Sequence, residues 1–91
     1  MAGRVEITYC TKCRFMLRAS LLAQELLTTF ENELTEVALR PGSGGIFEVT
    51  VDGEVVVSNR ETKRMPEPGD VKRLIRDRVA PGKRIGHEPA D

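Results

Sequence analysis

Val5-Glu6-Ile7-Thr8-Tyr9-Cys10-Thr11-Lys12-Cys13-Arg14-Phe15 is the stretch on which the fold turns. Val5, Ile7 and Tyr9 alternate with Glu6 and Thr8, the period of a strand with one buried face, so Gly3 to Tyr9 reads as β. Two cysteines follow at once, three residues apart. A helix is then predicted from about Lys12 to Asn32. Phe15, Ala19, Leu22, Leu26 and Phe30 recur at helical spacing, flanked by Met16, Ala23 and Leu27. Leu17 and Leu21 fall off that stripe, one turn apart. They read either as ordinary exposed leucines or as a small partner patch.

Downstream, Leu34 to Arg40 reads as a second strand and Pro41-Gly42-Ser43-Gly44-Gly45 as a loop. Ile46 to Val51 is a third strand with Phe47, Val49 and Val51 on one face. Asp52-Gly53 suits a type I′ hairpin turn into a fourth strand, Glu54 to Asn59. A polar loop, Arg60 to Gly69, leads to a second helix with Asp70 as N-cap and Val71, Leu74, Ile75 and Val79 as its apolar stripe. Pro81-Gly82 ends it. The predicted class is α/β (α+β), in the order β-α-β-β-β-α. A right-handed crossover makes the first two strands parallel. The expected sheet is four-stranded and mixed, order 2-1-3-4, with both helices on one face. Residues 1–82 form the domain and residues 83–91 a flexible tail.

The chain has 91 residues, enough for one domain with a modest core. Its 14 basic and 14 acidic residues cancel, and this even balance argues against a nucleic-acid partner. Local basic thickening at Arg60, Lys63, Arg64, Lys72, Arg73, Arg76 and Arg78 is interleaved with acids and reads as a solvated face. No apolar run reaches the ~18 residues of a membrane span, and Met1 to Glu6 lacks a signal-peptide core. The expectation is therefore a cytoplasmic protein without membrane or nucleic-acid partners. In a reducing compartment a close cysteine pair is more often catalytic, redox-sensing or metal-binding than a permanent staple.

Cys10 and Cys13 carry the chemistry. At a strand-to-helix turn, this spacing lets two sulfurs reach bonding distance, and unpaired N–H groups at a helix start favour a thiolate. Lys12 and Arg14 add positive charge as expected thiolate supports. A thiolate attacks a disulfide and the second thiol resolves the mixed species. Two other readings stand beside this one. The cysteines could be small buried hydrophobes. They could also bind zinc, although a closed site wants four ligands and the chain adds only His87, unless a second chain completes it. No metal is assigned. His87 stands alone in the tail, so no Ser-His-Asp set exists. Gly42 to Gly45 lacks the Lys-Ser/Thr of a P-loop, and Glu31 and Glu33 sit at a helix end.

Ile7-Thr8-Tyr9-Cys10-Thr11-Lys12-Cys13, Phe15-Met16-Leu17-Arg18-Ala19, Ala23-Gln24-Glu25-Leu26-Leu27, Pro41-Gly42-Ser43-Gly44-Gly45-Ile46-Phe47-Glu48-Val49 and Gly86-His87 together resemble the selenoprotein W-like branch of the Rdx family, in its cysteine-containing bacterial form. The likeness runs from about Val5 to His87. It implies a thioredoxin-like fold, a redox role in antioxidant defence, no tightly bound cofactor, and glutathione as a co-substrate among thiols and disulfides. In selenium-bearing relatives the selenium occupies the second position, that of Cys13. Thioredoxins proper carry a cis-proline before the third strand. Here Gly44-Gly45 stands in its place and Pro41 is too early. Gly44, Gly45 and Phe47 are therefore substrate-loop candidates, with a plain turn as the other reading of the glycines. The absence of a helix between the second and third strands leaves a sheet face bare, which invites a homodimer or another partner. Thioredoxin logic favours Cys10 as the more exposed attacker and the selenium position favours Cys13. The reading leans to Cys10. A redox-sensing interaction module without turnover and a zinc-binding adaptor are the competing functions.

Overall fold

Strand β1, Arg4–Cys10, lies in the interior of the sheet, paired on each side with a strand that follows it in the chain. The computed structural model describes residues 3–85. After β1 come a 3-10 turn (Thr11–Cys13), α1 (Met16–Thr29), β2 (Glu36–Gly42), β3 (Phe47–Val51), β4 (Glu54–Ser58), α2 (Asn59–Thr62) and α3 (Pro68–Val79). The sheet order is β2-β1-β3-β4, with β1 parallel to β2 and antiparallel to β3. This is the expected mixed sheet.

Register decides which side is core. Val5, Ile7 and Tyr9 stand opposite Val37, Leu39 and Pro41 on one side and Val51, Val49 and Phe47 on the other. Against this face pack Ala19, Leu22, Ala23, Leu26 and Phe30 of the first helical segment and Val71 and Ile75 of α3, all buried. The opposite face shows Glu6, Thr8, Arg40, Glu48 and Thr50. It is laced by exposed ion pairs, Arg4 with Glu6 and Glu36, and Arg40 with Glu6. The bare face is thus polar and solvated, as a mixed sheet with one covered side allows. A register shift opposite Val49 and Thr50 lets the consecutive Val56 and Val57 both pack on the core.

Several boundaries differ from expectation. The predicted single helix from Lys12 is broken: Arg14 is left-handed (φ 60, ψ 32) and α1 starts only at Met16. Met16 and Leu27, placed on the flank of the buried stripe, are exposed, and so is Leu74 of α3. Pro41 and Gly42 extend β2, an edge strand, where a missing N–H can face away from the ladder. The N-cap of α3 is Glu67, not Asp70. Pro68 takes the first helical position, where its fixed φ suits the turn and no N–H is needed. Asp70 lies in that first turn instead. The polar loop from Arg60 hides α2, whose four residues carry no apolar period. Within the expected tail, Ile85 is buried in the core cluster and Lys83 pairs with Glu33 at 3.1 Å. His87 and the remainder of the tail lie outside the described residues.

Candidate redox site

Cys10 is the last residue of β1 and Cys13 closes the turn that follows. Their placement follows from the chain's local preferences. β1 runs until its ladder ends, and the turn then reverses direction through the left-handed Arg14. The two sulfurs stand 2.6 Å apart, with Cys13 donating to Cys10. Closing to a disulfide length of about 2.05 Å requires only about half an ångström of movement. Both cysteines are free.

Exposure divides the pair in the direction opposite to the thioredoxin expectation. Cys10 is 3% exposed, whereas Cys13 is open to solvent. Proton affinity divides it too. The Cys13 S–H bond holds the Cys10 thiol below its usual range, and N–H groups of Gly45, Lys12 and Cys13 reinforce this against the opposing effect of burial. Donating that bond, together with desolvation and the neighbouring Cys10 charge, pushes Cys13 up. The two thiols are coupled, so the first proton lost belongs to the pair and not to either sulfur alone. Lys12 contributes through its backbone N–H, while the Lys12 and Arg14 side chains point to exposed positions.

The glycine loop meets the pair directly. The Gly45 backbone N–H favours the charged form of both sulfurs, and the Cys10 N–H donates to the Ile46 carbonyl at 2.8 Å. Gly44 and Gly45 have φ of 74° and 79°, a region costly to residues with a Cβ. The Gly45 carbonyl is not free for a docking strand: the Asn59 Nδ2 donates to it at 2.7 Å. Phe47, beside the loop, is buried and packs edge-on against Phe15. Leu17 and Leu21 lie on the exposed side of α1, 68% and 50% accessible, and Met16 at its start is exposed too. Asn59 was missed by sequence reading, since an Asn after a strand signals only a turn.

Among the described residues no group of three or more His, Cys, Asp or Glu is gathered as a metal site, and no helix is long and apolar enough to cross a membrane. Two surface hollows, about 450 Å³ around Arg64, Glu67 and Arg73 and about 470 Å³ around Arg4, Thr35 and Asp52, are not lined by either cysteine. Of the pair, Cys13 is open to solvent and Cys10 is buried behind it.

A close dithiol at the end of a central strand, on a four-stranded mixed sheet with its helices on one face, defines a thioredoxin-like protein with the makings of a redox centre. Residues 4–77 match the Rdx family, and the chain belongs to it as a selenoprotein W-like member. It is similar to the selenoprotein W-related protein from Vibrio cholerae, with 40% identity and a TM-score of 0.78 over 81% of this chain and 92% of that one. A protein from Bordetella parapertussis gives 40% identity and a TM-score of 0.83 over 87% of this chain and 100% of the other. No curated protein matches the chain by sequence.

Proposed function

We propose that this protein is a thiol–disulfide oxidoreductase in which Cys13 attacks and Cys10 serves first as proton acceptor and then as resolving thiol. The observation that carries this reading is the 2.6 Å approach of a sulfur open to solvent, which a substrate can reach, to a buried one able to resolve the mixed disulfide. Attack requires access, which Cys13 has. As the Cys13 sulfur bonds to one sulfur of a substrate disulfide, its proton passes to the Cys10 thiolate and the other substrate sulfur leaves as a thiolate. That thiolate, or solvent, removes the proton from Cys10. Cys10 then attacks Cys13, closing the intramolecular disulfide and expelling the second substrate thiolate. Two electrons pass to the substrate, and the protein ends as a disulfide that an external dithiol or two thiols must reduce.

The substrate class is thiols and disulfides that reach an open surface. The exposed Met16, Leu17 and Leu21 on the helix that follows Cys13 suit a protein disulfide. The exposed Lys12, Arg14 and Arg18 complement the two carboxylates of glutathione, our candidate reductant. A reducing compartment such as the cytoplasm provides the thiol pool, and antioxidant turnover is the corresponding role. The test is a redox titration read by mass shift, followed by trapping with serine variants. A reversible two-electron disulfide is expected. Cys10→Ser should accumulate mixed disulfides at Cys13, and Cys13→Ser should not. Trapping only with Cys13→Ser reverses the assignment of roles, and a pair inert to oxidants removes the redox reading altogether.

A further inference from the structure

We infer that Asn59 is a positioning residue for the cysteine pair: its carboxamide holds the Gly45–Phe47 segment so that the Gly45 N–H faces both sulfurs. This rests on the redox reading above and goes further, naming a residue that touches neither sulfur.

Three observations carry it. First, the β3–β4 ladder ends at the pair Glu48–Ser58, and Asn59 continues it with a side chain in place of a backbone. Its Nδ2 donates to the Gly45 carbonyl at 2.7 Å and its Oδ1 accepts from the Phe47 N–H at 2.9 Å. Only one orientation of the amide satisfies both bonds. Second, the segment so held needs an external restraint. Gly44 and Gly45 both have positive φ, and nothing lies within 4 Å of where a Gly45 Cβ would stand, so packing does not confine that peptide. Arg60 adds a bond to the Ser43 carbonyl at 3.3 Å. Third, the held segment is tied to the cysteines on its other side, through the Cys10 N–H to the Ile46 carbonyl at 2.8 Å, and the Gly45 N–H favours the charged form of both sulfurs. The Asn59 carboxamide and the end of β1 thus grip opposite sides of one three-residue segment. A preorganised donor costs no reordering when charge appears on sulfur; the Gly45 N–H lies in the 44–45 peptide, and the Asn59 bond to the Gly45 carbonyl holds that residue from its other side, while Arg60 holds the Ser43 carbonyl before it.

The experiment uses the full chain, reduced, as wild type, Asn59→Ala, Asn59→Asp and the control Thr62→Ala. Asn59→Asp keeps the acceptor for Phe47 but loses the donor to Gly45, so it carries the test even where Asn59→Ala folds poorly. Thr62 lies in the same short helix and bonds only Ser58 and Arg64. Circular dichroism confirms folding, and iodoacetamide alkylation is followed against pH by mass. Both Asn59 variants are expected to move the first alkylation midpoint upward by about one unit, which slows the reaction about tenfold at a pH below both midpoints. Thr62→Ala keeps the wild-type profile. Wild-type profiles in both Asn59 variants, or an equal shift in Thr62→Ala, overturn the inference. A wild-type chain that forms no reversible disulfide overturns the parent reading instead, and that result appears before any variant is compared.

Discussion

Phe15 stands edge-on to Phe47, ring centroids 5.9 Å apart and planes at 80°. This contact fastens the residue before α1 to the first residue of β3, on the two chain segments that bear Cys13 and the glycine loop. Phe47→Leu is expected to destabilise the fold by about 1–2 kcal/mol, because Phe47 is almost fully buried. In a double-mutant cycle with Phe15→Leu, the coupling is expected at about 0.5–1.5 kcal/mol. Urea unfolding measures both. Strictly additive losses would show that the rings pack without specific interaction.

Arg14 is left-handed at φ 60. A residue with a Cβ is strained there, whereas glycine is not. Arg14→Gly is expected to be neutral or stabilising, by up to about 1 kcal/mol, with a correspondingly higher melting temperature. Arg14→Val, β-branched in the same conformation, lowers it. The reverse order in thermal scans would mean that the turn does not adopt this geometry.

Asp52 carries a pH dependence whose sign is fixed. Its carboxylate accepts from the N–H groups of Arg4 and Gly3, each at 3.0 Å, which lowers its proton affinity below the ordinary value of 3.8. A group depressed in the folded state stabilises fully above its unfolded value. That contribution fades as pH falls from about 3.8 through the folded value. Asp52→Asn tolerates the positive φ of the hairpin turn, loses the charge, and is expected to flatten this acid limb of the stability curve. An unchanged limb in the variant assigns the acid loss to other carboxylates.

Ile85 closes the core from beyond α3. Ile85→Ala is expected to cost about 2–4 kcal/mol, and a chain ending at Gly82, which also loses the Lys83–Glu33 pair, at least as much. A chain ending at Gly82 that melts like the full chain would show that the segment after α3 adds nothing.

The sheet was legible because its signals are local and redundant. Val5-Ile7-Tyr9 and Phe47-Val49-Val51 alternate, Asp52-Gly53 turns, and the Ala19-Leu22-Leu26-Phe30 stripe needs a partner face. The cysteine pair was legible for the same reason, as a short motif at the end of a strand. What stayed hidden depends on tertiary context. The break at Arg14 has no glycine to announce it. The edge position that lets β2 run through Pro41 is set by pairing, not by propensity. Asn59 acts on a loop 14 residues away in the chain. The relative exposure of Cys10 and Cys13 follows from where β1 ends, one residue later than the alternation suggested.

Because α1 begins only after Arg14, Cys13 rides on a turn separate from the helix that fills the core, while Cys10 stays on β1. The half-ångström of travel between dithiol and disulfide can be absorbed by the dihedrals of residues 11–15. Ala19, Leu22 and Leu26 need not follow. In the proposed cycle a disulfide at this end of the molecule therefore asks for adjustment of the turn and not for repacking of α1 on the sheet.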